Sequence, residues 1–238
     1  MVDLTDCDRE PIHIPGTIQP FGVLLVLAEP SLTVTQVSEN VGDHLPIGVN
    51  DVLGQPLATL LDRASVAAVI DALSEERWHD LNPLQIGAHG KRFDGIVHRR
   101  EGAAILELEP NPGPPLGMPH PFRAALIRLQ RVVTCAELGE VVVEQMRRVT
   151  GFERVLFYRF HEDDHGSVDA EAKEPGLEPY LGLHYPASDI PAQARALYRR
   201  NWLRLIFDRS AKPARVVPTL RPDTSGSLDL SFSVPRSV

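Results

Sequence analysis

The sequence has few cysteines, few positive charges and no long apolar run. Cys7 and Cys135 are the two cysteines, and they are too far apart to indicate a disulfide framework or a zinc site. Lys and Arg number 24 against 32 Asp and Glu, and this charge of -8 argues against nucleic acid as a partner. No apolar run approaches the roughly 20 residues that span a bilayer, and the N-terminus is acidic where a signal peptide is basic. We therefore expect a soluble cytoplasmic protein.

The hydrophobic pattern of the first half predicts one mixed domain behind an extended lead. Residues 1–19 are interrupted by proline and glycine and favour no regular element. The predicted elements that follow are strands at 22–28 and 33–37, a helix at 57–73, and strands at 84–88, 92–98 and 103–109. This order is typical of a PAS domain, which we assign to 20–110.

The second half begins after the clearest boundary in the chain, the segment 111–120, which is rich in proline and glycine. Residues 121–238 are assigned to a second domain. The pattern predicts two amphipathic helices, the second ending at Thr150-Gly151, a hairpin of 153–160 with 167–172, a helix at 191–200, a strand at 203–207 and a long loop at 209–227. Cys135 falls in a helical region and is expected to be a small buried apolar residue.

One segment has the letters of a zinc protease motif. His161-Glu162-Asp163-Asp164-His165 matches H-E-x-x-H, which requires a helix so that both histidines share a face. An alternating strand runs into His161 and Gly166 follows His165, so a solvated hairpin turn without metal is predicted. A zinc hydrolase at His161 and His165 is the rival hypothesis. No phosphate-binding loop or G-x-S-x-G motif is present, and we expect no enzyme activity.

Two long segments resemble a known family. Residues 7–20, from Cys7-Asp8-Arg9-Glu10-Pro11 to Ile18-Gln19-Pro20, resemble the opening of bacterial phytochromes, and Pro186-Ala187-Ser188-Asp189-Ile190-Pro191 with 192–195 resembles their GAF segment beside the chromophore. The resemblance covers the whole chain. It implies an α+β fold in which a PAS domain is followed by a truncated GAF domain. Each would be an antiparallel sheet flanked by helices, and the two would be joined through a figure-of-eight knot, with 209–227 as the lasso around the lead near Ile14.

The resemblance also implies a cofactor and the residues that hold it. Biliverdin, a linear tetrapyrrole, would be attached to Cys7 by a thioether. Asp189 would face the pyrrole N–H groups, Tyr158 and Tyr185 would surround ring D, and Arg204, Arg236 and Tyr198 would bind the propionates. The remaining cofactor-binding residues are Ile190 and Pro191. Asp189 as a helix N-cap, the arginines as surface charges and the tyrosines as core residues are the alternatives.

The implied function is red/far-red light sensing by bilin isomerisation, signalled to a C-terminal output module such as a histidine kinase. The sequence stops before the Ser-Pro-x-His motif of the family, and Pro235 replaces an expected aliphatic residue. We expect the GAF domain to be incomplete and the chain alone to fold poorly. A homodimer is expected, with the helix 121–133 as its candidate face. A near-infrared fluorescent tag of the same origin and a PAS/GAF module for another ligand remain alternatives.

Overall fold

The computed structural model of the protein describes residues 11–74, 77–111, 113, 120–201 and 203–237. These residues form two compact units. The first unit contains 11–111 with 193–237, and the second contains 113–192. No helix in the described ranges is long and apolar enough to cross a membrane. Most of the predicted linker lies outside the described residues, and the predicted domain boundaries stay a prediction.

The first unit is an antiparallel sheet with short helices. Its strands are β1 Thr17–Ile18, β2 Val23–Ala28, β3 Thr33–Ser38, β4 Leu84–Ala88, β5 Lys91–Arg100, β6 Ala103–Pro110 and β10 Ala214–Val217. They are ordered β1-β10-β3-β2-β6-β5-β4. Its helices are α1 Val41–His44, α2 Val49–Val52, α3 Arg63–Leu73 and α4 Trp78–Leu81, with α7 Ala192–Tyr198 before β10. The predicted order of strand, strand, helix and three strands is confirmed.

The apolar run of β2 reflects burial on both faces of this sheet. Successive side chains of a strand point to opposite faces, so a run without polar residues indicates two apolar neighbours. Val23, Leu25 and Leu27 belong to one buried cluster with the helices, and Leu24 and Val26 belong to another. The second cluster is completed by side chains from 214–230, including Leu230. A late segment of the chain therefore covers the outer face of the sheet.

Two predictions for the late segment are wrong. The loop predicted at 209–227 contains β10, in which Val216 and Val217 pair with Ser38 and Val37 of β3. The strand predicted at 203–207 does not form. The side chain of Gln19 accepts a hydrogen bond from the backbone N–H of Phe207 (2.8 Å) and donates one to the carbonyl of Leu205 (2.6 Å). The backbone of this stretch therefore bonds to an amide side chain where a strand would bond to the backbone of a neighbouring strand.

The lead segment is held between β10 and the end of the described chain. The carbonyl of Gly16 accepts a hydrogen bond from Val216 N–H at 2.9 Å, and that of His13 accepts one from Leu230 N–H at 2.7 Å. Gln19 N–H donates to the carbonyl of Pro235 at 2.6 Å. The lead is therefore bonded both to β10 and to residues 230–236, and Ile18 is paired with Ala214 as well as with Arg236. The figure-of-eight knot itself stays a prediction.

The second unit is smaller and less densely packed. Its elements are α5 His120–Leu129, α6 Cys135–Thr150, β7 Arg154–Phe160, β8 Gly166–Lys173 and β9 His184–Tyr185, and its sheet has the order β7-β8-β9. The predicted hairpin is confirmed. Helix α6 begins with a capping box between Thr134 and Glu137 and ends at Gly151, whose φ of 72° suits glycine, as the sequence predicts. The α+β class with antiparallel sheets is confirmed.

Burial in the second unit differs from the expectation at one position. Cys135 is exposed at the first residue of α6, so the prediction of a buried cysteine is wrong. Cys135 shares a helix face with the buried Gly139 and Val143, but it is the first residue of the helix, at the end of that face, and is open to solvent there. The buried apolar residues of the described part of this unit are Ala125, Val143, Val168 and Ala170. The apolar core of the described part of this unit is therefore small.

Candidate functional site

A cavity of about 450 Å³ in the first unit brings together three of the predicted site residues. Tyr198 on α7, Arg204 after it and Arg236 near the end of the described chain all line this cavity. The apolar part of the wall includes Ile12, Ile14, Pro15, Leu197 and Ile206. An apolar wall with a few polar groups on one side is the usual character of a small-molecule site.

The two arginines are fixed by backbone carbonyls and not by acidic side chains. The guanidinium of Arg204 donates to the carbonyls of Arg236 (2.5 Å) and Ser237 (3.1 Å), and that of Arg236 donates to the carbonyl of Ile12 (2.9 Å). Among the described residues, no carboxylate forms an ion pair with either guanidinium. The cavity wall therefore carries one partly buried and one buried cation without a paired anion, which suits this part of the cavity to a ligand with negative charge.

Burial affects the ionisation of both groups. It lowers the pKa of Arg204, and the neighbouring charge of Arg236 lowers that pKa further. Burial also lowers the pKa of Arg236, although Tyr198 and Asp229 act in the opposite direction. An arginine stays protonated in a protein, so the consequence is an unfavourable charge that an incoming carboxylate would relieve.

Asp229 stabilises the segment beside this cavity. Its carboxylate accepts hydrogen bonds from Arg100 Nε and from the backbone N–H of Ser231, both at 2.7 Å. The side chain is 5% exposed. Burial alone would raise the pKa of Asp229, but hydrogen bonds from Ser231 and Arg100 outweigh it and hold the pKa below its ordinary value.

We expect Asp229→Asn to lower the free energy of unfolding at pH 7 by about 2 kcal/mol, the order of a hydrogen bond to a charged group. Because the folded-state pKa is lowered, the stabilisation is fully present above the unfolded value of 3.8 and is lost as the pH falls through the lower folded value. Urea unfolding of both proteins at pH 7 and at acid pH measures this. The exposed Asp80→Asn is the control, and a difference that does not shrink in acid would contradict the prediction.

Tyr158 and Tyr185 lie together in the second unit. Tyr158 is on β7 and Tyr185 on β9, and both strands pair with β8 near Gly166. Their ring centroids are 6.0 Å apart. A Cβ at Gly166 would lie 1.9 Å from the Tyr158 hydroxyl oxygen, so glycine is required for this ring to occupy its place. The sequence predicted both tyrosines, and the sheet register explains how they meet.

The second family motif, residues 186–195, begins directly after Tyr185, the last residue of β9. Asp189 ends a 3-10 turn, Ala187–Asp189, with its N–H bonded to the carbonyl of Pro186 at 3.0 Å. Asp189 is exposed, whereas Ile190 and Pro191 are partly buried. Cys7 lies outside the described residues. The roles of these four residues stay predictions.

The hairpin turn at 161–165 is observed as predicted, because β7 ends at Phe160 and β8 begins at Gly166. The H-E-x-x-H letters therefore do not lie on a helix. The structure adds a third histidine beside this turn: His184 on β9 pairs with Ser167 of β8 and lies next to His161 and His165. His184 is 19 residues after His165 in the sequence, and no spacing pattern links it to the turn. The pairing of β9 with β8 brings it there.

Comparisons with known proteins agree with these features. Residues 7–111 match the family model described as PAS fold. The chain is 45% identical over 245 residues to cyanobacterial phytochrome B of a Nostoc species, an alignment that covers 100% of this chain and 33% of that protein. The chain thus spans about a third of the length of the curated relatives it matches.

Two solved structures resemble the protein over nearly its whole length. The chromophore-binding domain of a Stigmatella aurantiaca phytochrome has a TM-score of 0.88 and 46% identity, covering 98% of this chain and 78% of that one. The chromophore-binding domain of a bacteriophytochrome from R. palustris has a TM-score of 0.87 and 41% identity, covering 98% of this chain and 77% of that one.

Proposed function

Because the chain belongs to the bacterial phytochrome family, we propose that it binds biliverdin covalently and senses red and far-red light. The observation that supports this most directly is the pair Arg204 and Arg236, a partly buried and a buried guanidinium in the wall of an apolar cavity. Biliverdin has an apolar body and two propionates. A cavity with apolar walls and two cations on one side matches both parts of such a molecule.

The remaining site residues receive roles from the chemistry of the cofactor. The thiolate of Cys7 would add to the vinyl-type side chain of ring A, forming the C–S bond of the thioether at one carbon of the double bond while the other carbon takes a proton from water. Tyr198 donates its hydroxyl to a propionate. Asp189 accepts hydrogen bonds from the pyrrole N–H groups, and Ile190 and Pro191 lie against the bilin plane. The assignments of Cys7, Asp189, Ile190 and Pro191 rest on the motifs at 7–20 and 186–195, and that of Tyr198 rests on its place in the cavity wall with Arg204 and Arg236.

Tyr158 and Tyr185 are proposed to surround ring D, which rotates when the adjacent double bond isomerises. Their rings are already in contact range at 6.0 Å between centroids, and Gly166 leaves Tyr158 its space. After isomerisation their hydroxyls would take new partners, and the change would pass to a C-terminal module such as a histidine kinase. A homodimer is part of this proposal, with α5 as its face, because Phe122, Leu126 and Ile127 are each more than 40% exposed there.

Mixing the purified chain with biliverdin and illuminating it tests this function. We expect a bound pigment whose absorption spectrum changes under red light and returns under far-red light, since isomerisation is reversible in a closed pocket. Circular dichroism on the same sample establishes that the chain is folded. A folded chain that stays colourless would refute bilin binding, and a stable pigment with no spectral change would refute the sensor role.

A further inference from the structure

Three histidines of the second unit converge at one end of its sheet. His161 and His165 flank the turn between β7 and β8, and their rings are stacked with centroids 4.1 Å apart. His184 on β9 completes the group, with its ring centroid 5.3 Å from that of His165 and 6.2 Å from that of His161. Each of the three offers one ring nitrogen within 4.8 Å of the other two. Of the described acidic, cysteine and histidine side chains, no other three meet in this way.

We propose that His161, His165 and His184 bind one divalent transition-metal ion, with Zn²⁺ as the expected occupant. Three imidazoles are a common donor set for zinc, which takes nitrogen ligands at about 2.0–2.1 Å and leaves the fourth position for water. Tetrahedral geometry at that bond length places the nitrogens roughly 3.3 Å apart. Rotation of the exposed His184 side chain, with small adjustments of the two partly buried rings, can bring the three nitrogens together from their present distances.

Hydrogen bonds to the other ring nitrogens support the proposal. Nε2 of His161 is 2.8 Å from Ser167 Oγ, and that hydroxyl donates to a carboxylate oxygen of Asp169 at 2.5 Å. Nδ1 of His165 is 2.5 Å from a carboxylate oxygen of Asp163. Metal-binding histidines generally have the non-ligating nitrogen held by an oxygen acceptor in this manner, which fixes the ring and strengthens the ligand. Nδ1 of His161 and Nε2 of His165 are the ligand atoms that remain.

The strand register places the three histidines so that one bound ion would connect β9 to the hairpin of β7 and β8. β9 has only two residues and pairs with β8 through Gly166 and Ser167. An ion held by His161 and His165 at the turn and by His184 on β9 would fasten that short strand to the hairpin. The site differs from a helical H-E-x-x-H zinc site because His161 and His165 flank a turn and do not share a helix face, and because the third histidine comes from β9.

Isothermal titration of the full chain with Zn²⁺ alone tests the proposal. The chain is purified without bilin, because pyrrole nitrogens would compete for zinc. We expect one ion per chain, weaker binding at acid pH because protons compete for imidazole, and affinity reduced about tenfold or more in His165→Gln and in His184→Gln. His79→Gln, an exposed histidine of α4, is the matched control and should bind as the unaltered chain does.

Circular dichroism shows whether each variant remains folded, which is expected because His165 is about a third exposed and His184 is exposed. Unchanged zinc affinity in both variants, or the absence of saturable binding by the unaltered chain, would overturn the proposal. The result does not depend on whether the chain binds biliverdin, so the metal site and the sensor function are tested separately.

Discussion

Replacing Cys7 with serine will leave the protein unable to retain biliverdin through acid denaturation. A thioether survives acid, whereas a cofactor held by hydrogen bonds and apolar contacts is released when the pocket unfolds. A serine hydroxyl is a far weaker nucleophile than a thiolate at neutral pH and does not add to the vinyl-type group. The expected effect is complete loss of covalent pigment. Zinc-induced fluorescence of the denatured band on a gel measures it.

The second cysteine of the sequence provides a matched control. Cys135 is exposed at the start of α6 and is also available to solvent, so a reaction that merely required an accessible thiol would use it. Cys135→Ser should keep the fluorescent band at full intensity. A band that persisted in Cys7→Ser and vanished in Cys135→Ser would move the attachment site to Cys135 and contradict the proposal.

Arg204→Gln will weaken reversible biliverdin binding by about 30-fold or more, because it leaves a buried propionate without its guanidinium partner. The measurement is made in chains that also carry Cys7→Ser, so that an equilibrium exists. Arg204 also donates to the carbonyls of Arg236 and Ser237, and its loss can disturb the cavity wall. Affinity for one ligand therefore does not separate the two effects.

Biliverdin dimethyl ester separates them. Esterification removes the propionate charges. The chain that keeps Arg204 should therefore bind the ester much more weakly than the acid, whereas Arg204→Gln should show a much smaller difference between the two ligands. A structural defect would weaken the acid and the ester equally. Arg209→Gln, an exposed arginine of the same segment, should behave like Arg204 itself. Equal discrimination between acid and ester in all three proteins would show that Arg204 does not bind a propionate.

Local patterns were sufficient for much of the fold. The apolar run at 22–28 predicted the strand β2, and Thr150-Gly151 marked the end of α6. These signals are local because caps and strand faces depend on neighbours within a few residues. The residues of the candidate site were predicted from the resemblance to phytochromes, which rests on the segments 7–20 and 186–195.

Features that depend on distant partners were not predictable in the same way. Four residues, Ala214–Val217, become a strand because β1 and β3 offer them backbone partners, and nothing in their own pattern distinguishes them from a loop. The extended stretch at 203–207 looked like a strand and instead bonds to the side chain of Gln19. His184 joins His161 and His165 only through the pairing of β9 with β8.

The place of β10 in the sheet has a consequence for synthesis on the ribosome. Arg215 of β10 bonds to Glu39, which is 176 positions earlier in the chain. Translation at roughly 5–20 residues per second needs about 9–35 s to cover that distance. Throughout that interval the backbone of β3 on that side has no strand partner, and the apolar outer face of the sheet is uncovered. The nascent chain is therefore exposed to aggregation, or to chaperone binding, for a period that ends only when residues 214–230 have emerged.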